Sequence, residues 1–351
     1  MWGLPPLPRN LAAAIRDADH PKRDVRLSAV RDLVRHTRGD ERAAAIEKLC
    51  HVLQHDSELD LRAEAAVALA DADAREALEP LMEAARRGER RLRQMAVLAI
   101  GEVAPPDDEE AVAVLRSAFR ASDEAVRFQA LVALHHVSTS ARRAAAANAT
   151  VSSDAAEQAV FDAARDDDPE LRAMAFRIAE ERFAESPPPA HFVTVTEKAL
   201  KDDDAAVRLC AAILLGSWGN AAGGHELIDV VANAPRVGTE ADHQAAIELA
   251  AKLELPDAVP ALERRAYGPF GLRRDSVSWH AQVALARLGH QRATRAILRG
   301  LRAWSRDART LSVVAAGRAH LAEARPLLTA MRGNESSADQ HAVEQALAEL
   351  G

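Results

Sequence analysis

The residues with the clearest chemical potential in this chain are two runs of three aspartates and one pair of adjacent histidines. The runs cover residues 166–168 and 202–204, and carboxylate oxygens at such turns could bind a hard cation. His135 and His136 would diverge by about 100° on a helix, which disfavours a shared metal ion. Aspartates that precede a helix also cap its free amide groups. We therefore predict helix caps at the aspartate runs and no metal site.

Catalytic signatures are missing from the sequence. It contains no glycine-rich phosphate loop, no Cys-x-x-Cys pair and no serine nucleophile elbow, which are the motifs that would indicate phosphate, redox or acyl-transfer chemistry. The prediction is a protein that is not an enzyme, with no catalytic residue and no cofactor.

Positive charge is concentrated in the C-terminal third, although the net charge of the chain is -8. Residues 258–333 carry fourteen arginines and four acidic residues, a formal charge of +10, which leaves -18 for the rest. Five of these arginines follow a spacing of three, four, three and four residues: Arg292, Arg295, Arg299, Arg302 and Arg306. This spacing predicts one stripe on a single helix, with Trp304 turned towards the core. The two alternatives are an ordinary solvated face and a site for carboxylates or phosphates.

A second candidate contact lies in the segment 267–275, where glycine, proline, aromatic residues and arginines replace an ordinary acidic turn. Binding residues are often carried on loops. We predict that this loop is a binding element formed by Tyr267, Phe270, Arg273 and Arg274.

A sequence motif repeated along the chain predicts the helices that position these residues. The motif consists of an acidic residue, Val or Leu, then Arg, then small and aliphatic residues at helical spacing. The arginines of the motif are Arg26, Arg62, Arg93, Arg127, Arg172 and Arg208. Self-similarity at this period predicts stacked helical hairpins that bury their apolar faces on one another. Apolar residues make up 48% and aromatic residues 3% of the chain, so the core must consist of Ala, Leu and Val.

One continuous domain, residues 1–351, is the simplest organisation, because no linker divides the chain. The interval 138–154 is longer than the usual repeat, which indicates a longer inter-repeat loop or an extra helical turn. Glycine lies eight residues after Arg93, Arg208 and Arg309. We interpret these glycines as left-handed helix exits.

In these features the chain resembles HEAT repeats, specifically the short bacterial kind similar to those of phycobilisome-lyase-type proteins. The resemblance implies an all-α fold, a right-handed alpha-alpha superhelix, here an α-solenoid of about ten helical hairpins. It also implies that the repeated acid and arginine form a structural ladder. Some members of that family join bilins to phycobiliproteins, so a chromophore-lyase-like enzyme subunit is one functional alternative.

Apolar residues recur at the first and fifth positions after the ladder arginine, which would face outward on a concave surface. They are Phe128, Val132, Leu209, Ile213, Trp279 and Val283, and Val67 and Leu98 continue the row. An exposed apolar row in a groove is typical of a site for a partner helix or peptide. The alternative is that tight stacking buries the row between repeats.

The cysteines and the hydropathy of the chain indicate in which cellular compartment we expect the protein. Cys50 and Cys210 lie in distant repeats, which makes a disulfide implausible and favours a reducing compartment. No stretch approaches about 18 uncharged apolar residues, and no signal-peptide core is visible. We expect a cytoplasmic protein without a membrane span, and the oligomeric state stays open.

The favoured function is a non-catalytic protein–protein interaction scaffold or adaptor. Its partner, with an acidic or amphipathic helical surface, would lie along the concave face and the basic C-terminal repeats. Apolar anchors would come from the row above, and Arg295, Arg299, Arg302 and Arg306 would contact acidic groups. The alternative is nucleic-acid binding by the arginine stripe, which the scarcity of lysine and the net negative charge disfavour.

Overall fold

A computed structural model describes residues 8–105, 108–144, 152–233, 237–268 and 276–351, which form helices and turns but no β-strand. The helices are α1 (Leu11–Asp17), α2 (Arg23–Leu33), α3 (Arg42–His55), α4 (Leu59–Asp71), α5 (Leu78–Arg87), α6 (Arg90–Val103), α7 (Glu109–Phe119), α8 (Glu124–Ala144), α9 (Ser152–Ala163), α10 (Pro169–Arg182), α11 (Ala190–Ala199), α12 (Ala205–Ser217), α13 (Gly224–Asn233), α14 (Glu240–Lys252), α15 (Ala258–Tyr267), α16 (Ser276–Arg287), α17 (Gln291–Gly300), α18 (Arg306–Arg318), α19 (Arg325–Met331) and α20 (Gln340–Glu349). The all-α prediction is confirmed.

These twenty helices are arranged in pairs, which agrees with the predicted number of about ten hairpins. The odd-numbered member of a pair is called the first helix and the even-numbered member the second helix. First helices pack on the second helices that follow them, as α3 does on α4 and α15 on α16. Second helices also pack on one another in order, α2 on α4, α4 on α6 and α6 on α8. Each hairpin therefore buries its apolar faces against neighbours, as repeat architectures require.

The chain divides into two compact units, Met1–Ile178 and Ala179–Gly351, here called unit 1 and unit 2. The division falls within α10. Unit 1 contains the second helices α2, α4, α6 and α8, and unit 2 contains α12, α14, α16, α18 and α20. A single continuous solenoid stays a prediction.

Four of the six ladder arginines bind the turn before their own helix, whereas Arg62 donates from Nε to the carbonyl oxygen of Leu53. Arg127 Nη1 donates to the carbonyl oxygens of Ala121 and Ser122, six and five residues earlier. The same two bonds are made by Arg26, Arg172, Arg208 and Arg309. Carbonyl groups that would otherwise lack a partner beside the helix are thereby satisfied.

Some of these guanidinium groups also pair with an acidic residue further along the chain. Arg26 pairs with Asp56 at 2.8 Å and Arg127 with Asp166 at 2.8 Å. The bond to Asp166 raises the pKa of Arg127 above its ordinary value. Arg26 and Arg127 are therefore structural, as the resemblance implied, because each side chain both closes its own turn and pairs with an acidic residue further along the chain.

The glycines at the eighth position after the ladder arginine were interpreted wrongly. Gly101, Gly216 and Gly317 lie inside α6, α12 and α18, not at left-handed exits. A Cβ atom on Gly101 would lie 2.8 Å from Ala133 Cβ, and one on Gly317 would lie 2.8 Å from Ala346 Cα. The missing side chain therefore allows consecutive second helices to approach closely.

The long interval near 138–154 begins as helix. The second helix α8 extends over 21 residues to Ala144, and α9 begins at Ser152. The extra length predicted here is therefore taken up at least partly by added turns of α8, while residues 145–151 lie outside the described residues.

Candidate functional site

A row of half-buried apolar side chains crosses three consecutive second helices of unit 1. Val67 lies on α4, Leu98 on α6, and Phe128 and Val132 on α8. Val67, Leu98 and Val132 each follow a ladder arginine by five residues, so they occupy the same position of three stacked repeats. These four side chains lie between the two alternatives left open by the sequence, because they are neither exposed nor fully buried. We call these four residues the unit 1 row.

Acidic side chains accompany the unit 1 row. Glu64 and Asp71 line a cleft of about 210 Å³ together with Val67 and Arg31, and Arg31 Nε pairs with Glu64 at 2.6 Å. Glu102 lies one helical turn beyond Leu98 and is half exposed, 3.3 Å from His136 Nδ1. An apolar surface bordered by carboxylates is therefore presented by the second helices of this unit.

The row positions predicted in α12, together with Val283 in α16, are buried, which corrects the prediction of an exposed row there. Leu209 is 1% exposed, Ile213 is 4% exposed and Val283 is 8% exposed. All three belong to the hydrophobic core of this unit. They cannot serve as anchors for a partner in this structure.

Two features explain the burial in α12. Residues 209–216 are all apolar, so this part of the helix has no polar side to turn towards solvent, and every one of these residues is buried. In addition, the turn before α14 lies against Leu209, because a Cβ atom on Gly238 would be 2.8 Å from Leu209 Cδ2. The uninterrupted apolar run 209–216 was a visible sequence signal for an enclosed helix.

Trp279 is half buried and packs against the core of unit 2. Polar groups face the ring: the guanidinium carbon of Arg318 lies 5.8 Å from its centroid, and the His280 ring meets it edge-on with centroids 4.9 Å apart. The surface around Trp279 is therefore charged rather than an apolar groove.

A cleft of about 640 Å³ lies beside these residues and was missed by the sequence reading. Its lining includes Glu248, which is 3.5 Å from His280 Nδ1 and 3.9 Å from Arg318 Nη1. Burial lowers the pKa of His280 below its ordinary value of 6.5, and Glu248 opposes that shift. The lining also contains Lys252 and Arg287.

A repeated position could have revealed this cleft. Arg287 and Arg318 each lie nine residues after the residue at the ladder position, Ser278 and Arg309, and Lys252 lies nine residues after His243. Because equivalent positions of stacked repeats share one face, a basic residue in three successive repeats indicates a basic row.

The arginine stripe does not lie on a single helix, which corrects the sequence prediction. The helix α17 ends at Gly300, Arg302 lies in the following turn, and Arg306 begins α18. The side chain of Ser305 caps α18 by accepting from the amide of Ala308. The regular spacing continued across a break between two helices.

Trp304 was expected in the core and is instead 101% exposed in the turn between α17 and α18. Arg295, Arg299, Arg302 and Arg306 are all exposed. Arg295, Arg299 and Arg302 belong to a first helix and its turn, and Arg306 begins the next second helix, whereas the apolar row lies further along second helices. The two features of the expected binding site therefore lie on different layers of the hairpins.

Tyr267 is not a loop contact. It is the last residue of α15, its ring packs against the core, and the guanidinium carbon of Arg292 lies 3.8 Å from the ring centroid. Desolvation raises the pKa of its hydroxyl. The other residues expected in this loop, Phe270, Arg273 and Arg274, lie outside the described residues.

The aspartate runs act as caps and ladder partners, as predicted. Asp166 pairs with Arg127, Asp168 accepts from the amide of Glu170, and Asp204 accepts from the amides of Ala206 and Val207. Across the described ranges, no group of three or more His, Cys, Asp or Glu side chains is placed to hold a metal ion.

Cys50 is poorly suited to nucleophilic chemistry, because burial and the nearby Glu76 raise its pKa to about 11.

No helix within the described parts of the chain is both long and apolar enough to cross a bilayer.

The chain is similar to known proteins in sequence and in fold. Residues 46–135 match the family model described as HEAT repeats. YibA from E. coli is 16% identical, covers 79% of this chain and 92% of its own, and has a TM-score of 0.55. No curated protein sequence matches the chain.

Two larger solved proteins share the fold. Kap95p, from work on its binding to RanGDP, is 12% identical with a TM-score of 0.54, and 97% of this chain corresponds to 51% of that one. Kap121p bound to Nup53p is 12% identical with a TM-score of 0.51, and 97% of this chain corresponds to 41% of that one. The chain thus spans about half or less of these two proteins. These likenesses show a HEAT-type fold, and none of them shows similarity to the phycobilisome-lyase type.

Proposed function

Because the chain is a HEAT-repeat protein, we propose that it is a non-catalytic scaffold that binds another protein on the second helices of unit 1. The observation that carries the proposal is the unit 1 row, in which Val67, Leu98 and Val132 repeat at one position of three stacked hairpins and stay half exposed. Ordinary solvated helix faces carry polar residues there, and contiguous apolar exposure is typical of interaction surfaces.

The row suits an amphipathic helix of a partner. The apolar face of that helix would pack on the row, and basic residues on its flanks would meet Asp71 and Glu102. The same carboxylates disfavour nucleic acid on this surface, because they would repel its phosphates. A rigid stack of hairpins limits the entropy lost when the partner binds.

Similar folds support a scaffold function. Kap121p has been solved bound to Pho4p and bound to Nup53p, so this type of fold holds protein partners there. For the present chain, the basic repeats within 258–333 provide a second contact of the proposed scaffold, towards acidic groups of a partner.

The test removes apolar surface from the row without adding charge. We expect the double substitution Leu98→Gln and Val132→Thr to abolish stoichiometric capture of a protein from a lysate of the source organism, as measured by quantitative mass spectrometry. The matched control is Ala113→Gln with Ser117→Thr, at two exposed positions of the first helix α7. This control should capture the partner as the wild type does.

Circular dichroism and thermal unfolding establish that both variants are folded. Equal capture by the row variant and the wild type would remove the unit 1 row from the proposal. Loss of capture in both variants would show that the effect is not specific to the row.

A further inference from the structure

The first helix α17 in unit 2 carries unpaired positive charge beside an open cleft. In the described part of the chain, no carboxylate lies within ion-pair distance of Arg295, Arg299 or Arg302. Among the described residues, the side chains of these three arginines donate hydrogen bonds to Gln291 Oε1 and to the carbonyl oxygen of Arg295. Like charges one turn apart on a helix repel each other, so this arrangement is not explained by helix stability.

Two clefts flank this helix. One, of about 730 Å³, lies between α17 and α19 and is lined by Arg295, Arg299 and Arg302 together with Leu298, Pro326 and Leu327, with Glu323 as its one acidic residue. The other, of about 550 Å³, lies at the start of α17 and shares Arg295 and Arg299. The clefts are open because α17 packs mainly on α16 and α18 and much less on its neighbouring first helices.

The larger cleft has two chemically different walls. Arg295, Arg299 and Arg302 supply a basic wall from α17 and its turn, and Pro326 and Leu327 supply an apolar wall from α19. An extended chain turns alternate side chains to opposite sides. It can therefore present acidic side chains to the first wall and apolar side chains to the second.

Spacing supports an extended occupant. Arg295 and Arg299 are separated by about 6 Å along the helix axis, and alternate residues of an extended chain are separated by about 6.6 Å. Two acidic residues with one apolar residue between them thus match two arginines. A helical occupant, with 3.6 residues per turn, does not alternate between two walls in this way.

We propose that the cleft between α17 and α19 is a docking site for an extended segment of a partner protein in which acidic and apolar residues alternate. The proposal deepens the scaffold function, because it names the chemistry of the segment that the basic repeats bind. The turn after α17 adds Trp304, fully exposed, and Arg and Trp are the residue types enriched in the energetic centres of protein interfaces. The apolar wall distinguishes this site from a phosphate-backbone groove.

The experiment measures fluorescence anisotropy of a labelled synthetic peptide in which Glu and Leu alternate, titrated with the full chain. A peptide of the same composition with all Glu residues in one block, and a single-stranded oligonucleotide of similar charge, are the competing probes. We expect the alternating peptide to bind at least about tenfold more tightly than the block peptide.

Variants localise the binding. Arg295→Gln with Arg299→Gln should weaken the alternating peptide at least about tenfold, and Glu323→Gln should strengthen it by removing the one repulsive group. Lys252→Gln with Arg287→Gln removes the same charge from exposed positions on second helices of unit 2 and should leave binding unchanged. The Leu98→Gln and Val132→Thr variant should also bind normally, which separates this site from the unit 1 row.

Three results would overturn the proposal: no preference for the alternating peptide, tighter binding of the oligonucleotide, or equal weakening by both arginine and control variants. All substituted side chains of the cleft are exposed, so thermal unfolding should be unchanged and a folding defect would be evident.

Discussion

Units 1 and 2 use the same repeat differently at two equivalent positions. Five residues after the ladder position, α4, α6 and α8 of unit 1 have the half-buried Val67, Leu98 and Val132, whereas α12 and α16 of unit 2 have the buried Ile213 and Val283. Nine residues after it, the same three helices of unit 1 have Asp71, Glu102 and His136, whereas α14, α16 and α18 of unit 2 have Lys252, Arg287 and Arg318. The comparison shows that a conserved hairpin geometry leaves the chemistry of its second-helix face free to vary.

The largest expected effect tests the difference in burial. Leu209→Glu should destabilise the protein by about 4 kcal/mol or more, because an ionisable group enters an enclosed apolar helix. Leu98→Glu should cost about 1 kcal/mol, since the longer side chain can reach solvent from a half-exposed site. Urea unfolding of the two variants measures both changes in the free energy of unfolding. Similar losses of stability would contradict the difference in burial between Leu209 and Leu98.

A smaller effect concerns how closely second helices approach. Gly101→Ala should destabilise by about 2 kcal/mol, because its new Cβ would meet the backbone of Ala133 at 2.9 Å. Gly216→Ala should cost less, because its new Cβ meets the flexible Leu249 side chain at 3.0 Å. Thermal unfolding compares the variants, and a more damaging Gly216→Ala would contradict this account.

Histidines in the two units should give pH effects of opposite sign. A hydrogen bond with Glu41 raises the pKa of His36 above 6.5, so its contribution to stability is full below pH 6.5 and is lost as pH rises through the raised pKa. Burial lowers the pKa of His280, so its contribution is full above pH 6.5 and is lost as pH falls from 6.5 towards the lowered pKa.

The measurement is the unfolding temperature of the wild type, His36→Gln and His280→Gln between about pH 5 and pH 8. Relative to the wild type, His36→Gln should become less stable as pH falls, whereas His280→Gln should become more stable. Trends in the same direction for both variants would contradict the environments assigned to His36 and His280.

The smallest effect is expected at Trp304. Since this side chain is 101% exposed, Trp304→Ala should change the free energy of unfolding by less than about 0.5 kcal/mol. A loss of several times that size in urea unfolding would show that the ring is packed in solution, as the sequence had suggested.

Much of the candidate site could be placed on its helix from the sequence, but its exposure could not. Val132 and Ile213 have the same offset from their ladder arginines and similar side chains, yet only Ile213 is enclosed. The difference comes from the neighbouring elements in unit 2, and offset alone carries no information about them. The prediction of an arginine stripe on a single helix was wrong for a more local reason. Gly300 and Ser305 are typical of a helix end and a helix start, but the regular arginine spacing obscured these signals.

The sequence by itself determined the helical hairpins, the structural arginines and the aspartate caps. These features depend on bonds between residues close along the chain, such as Arg127 to Ala121 and Ser122, or on a pattern repeated in every hairpin. Only the tertiary structure decided which apolar faces stay open, which layer carries the basic residues, and why Gly101 is glycine. Those properties depend on what packs against a helix from distant parts of the chain, which no local spacing encodes.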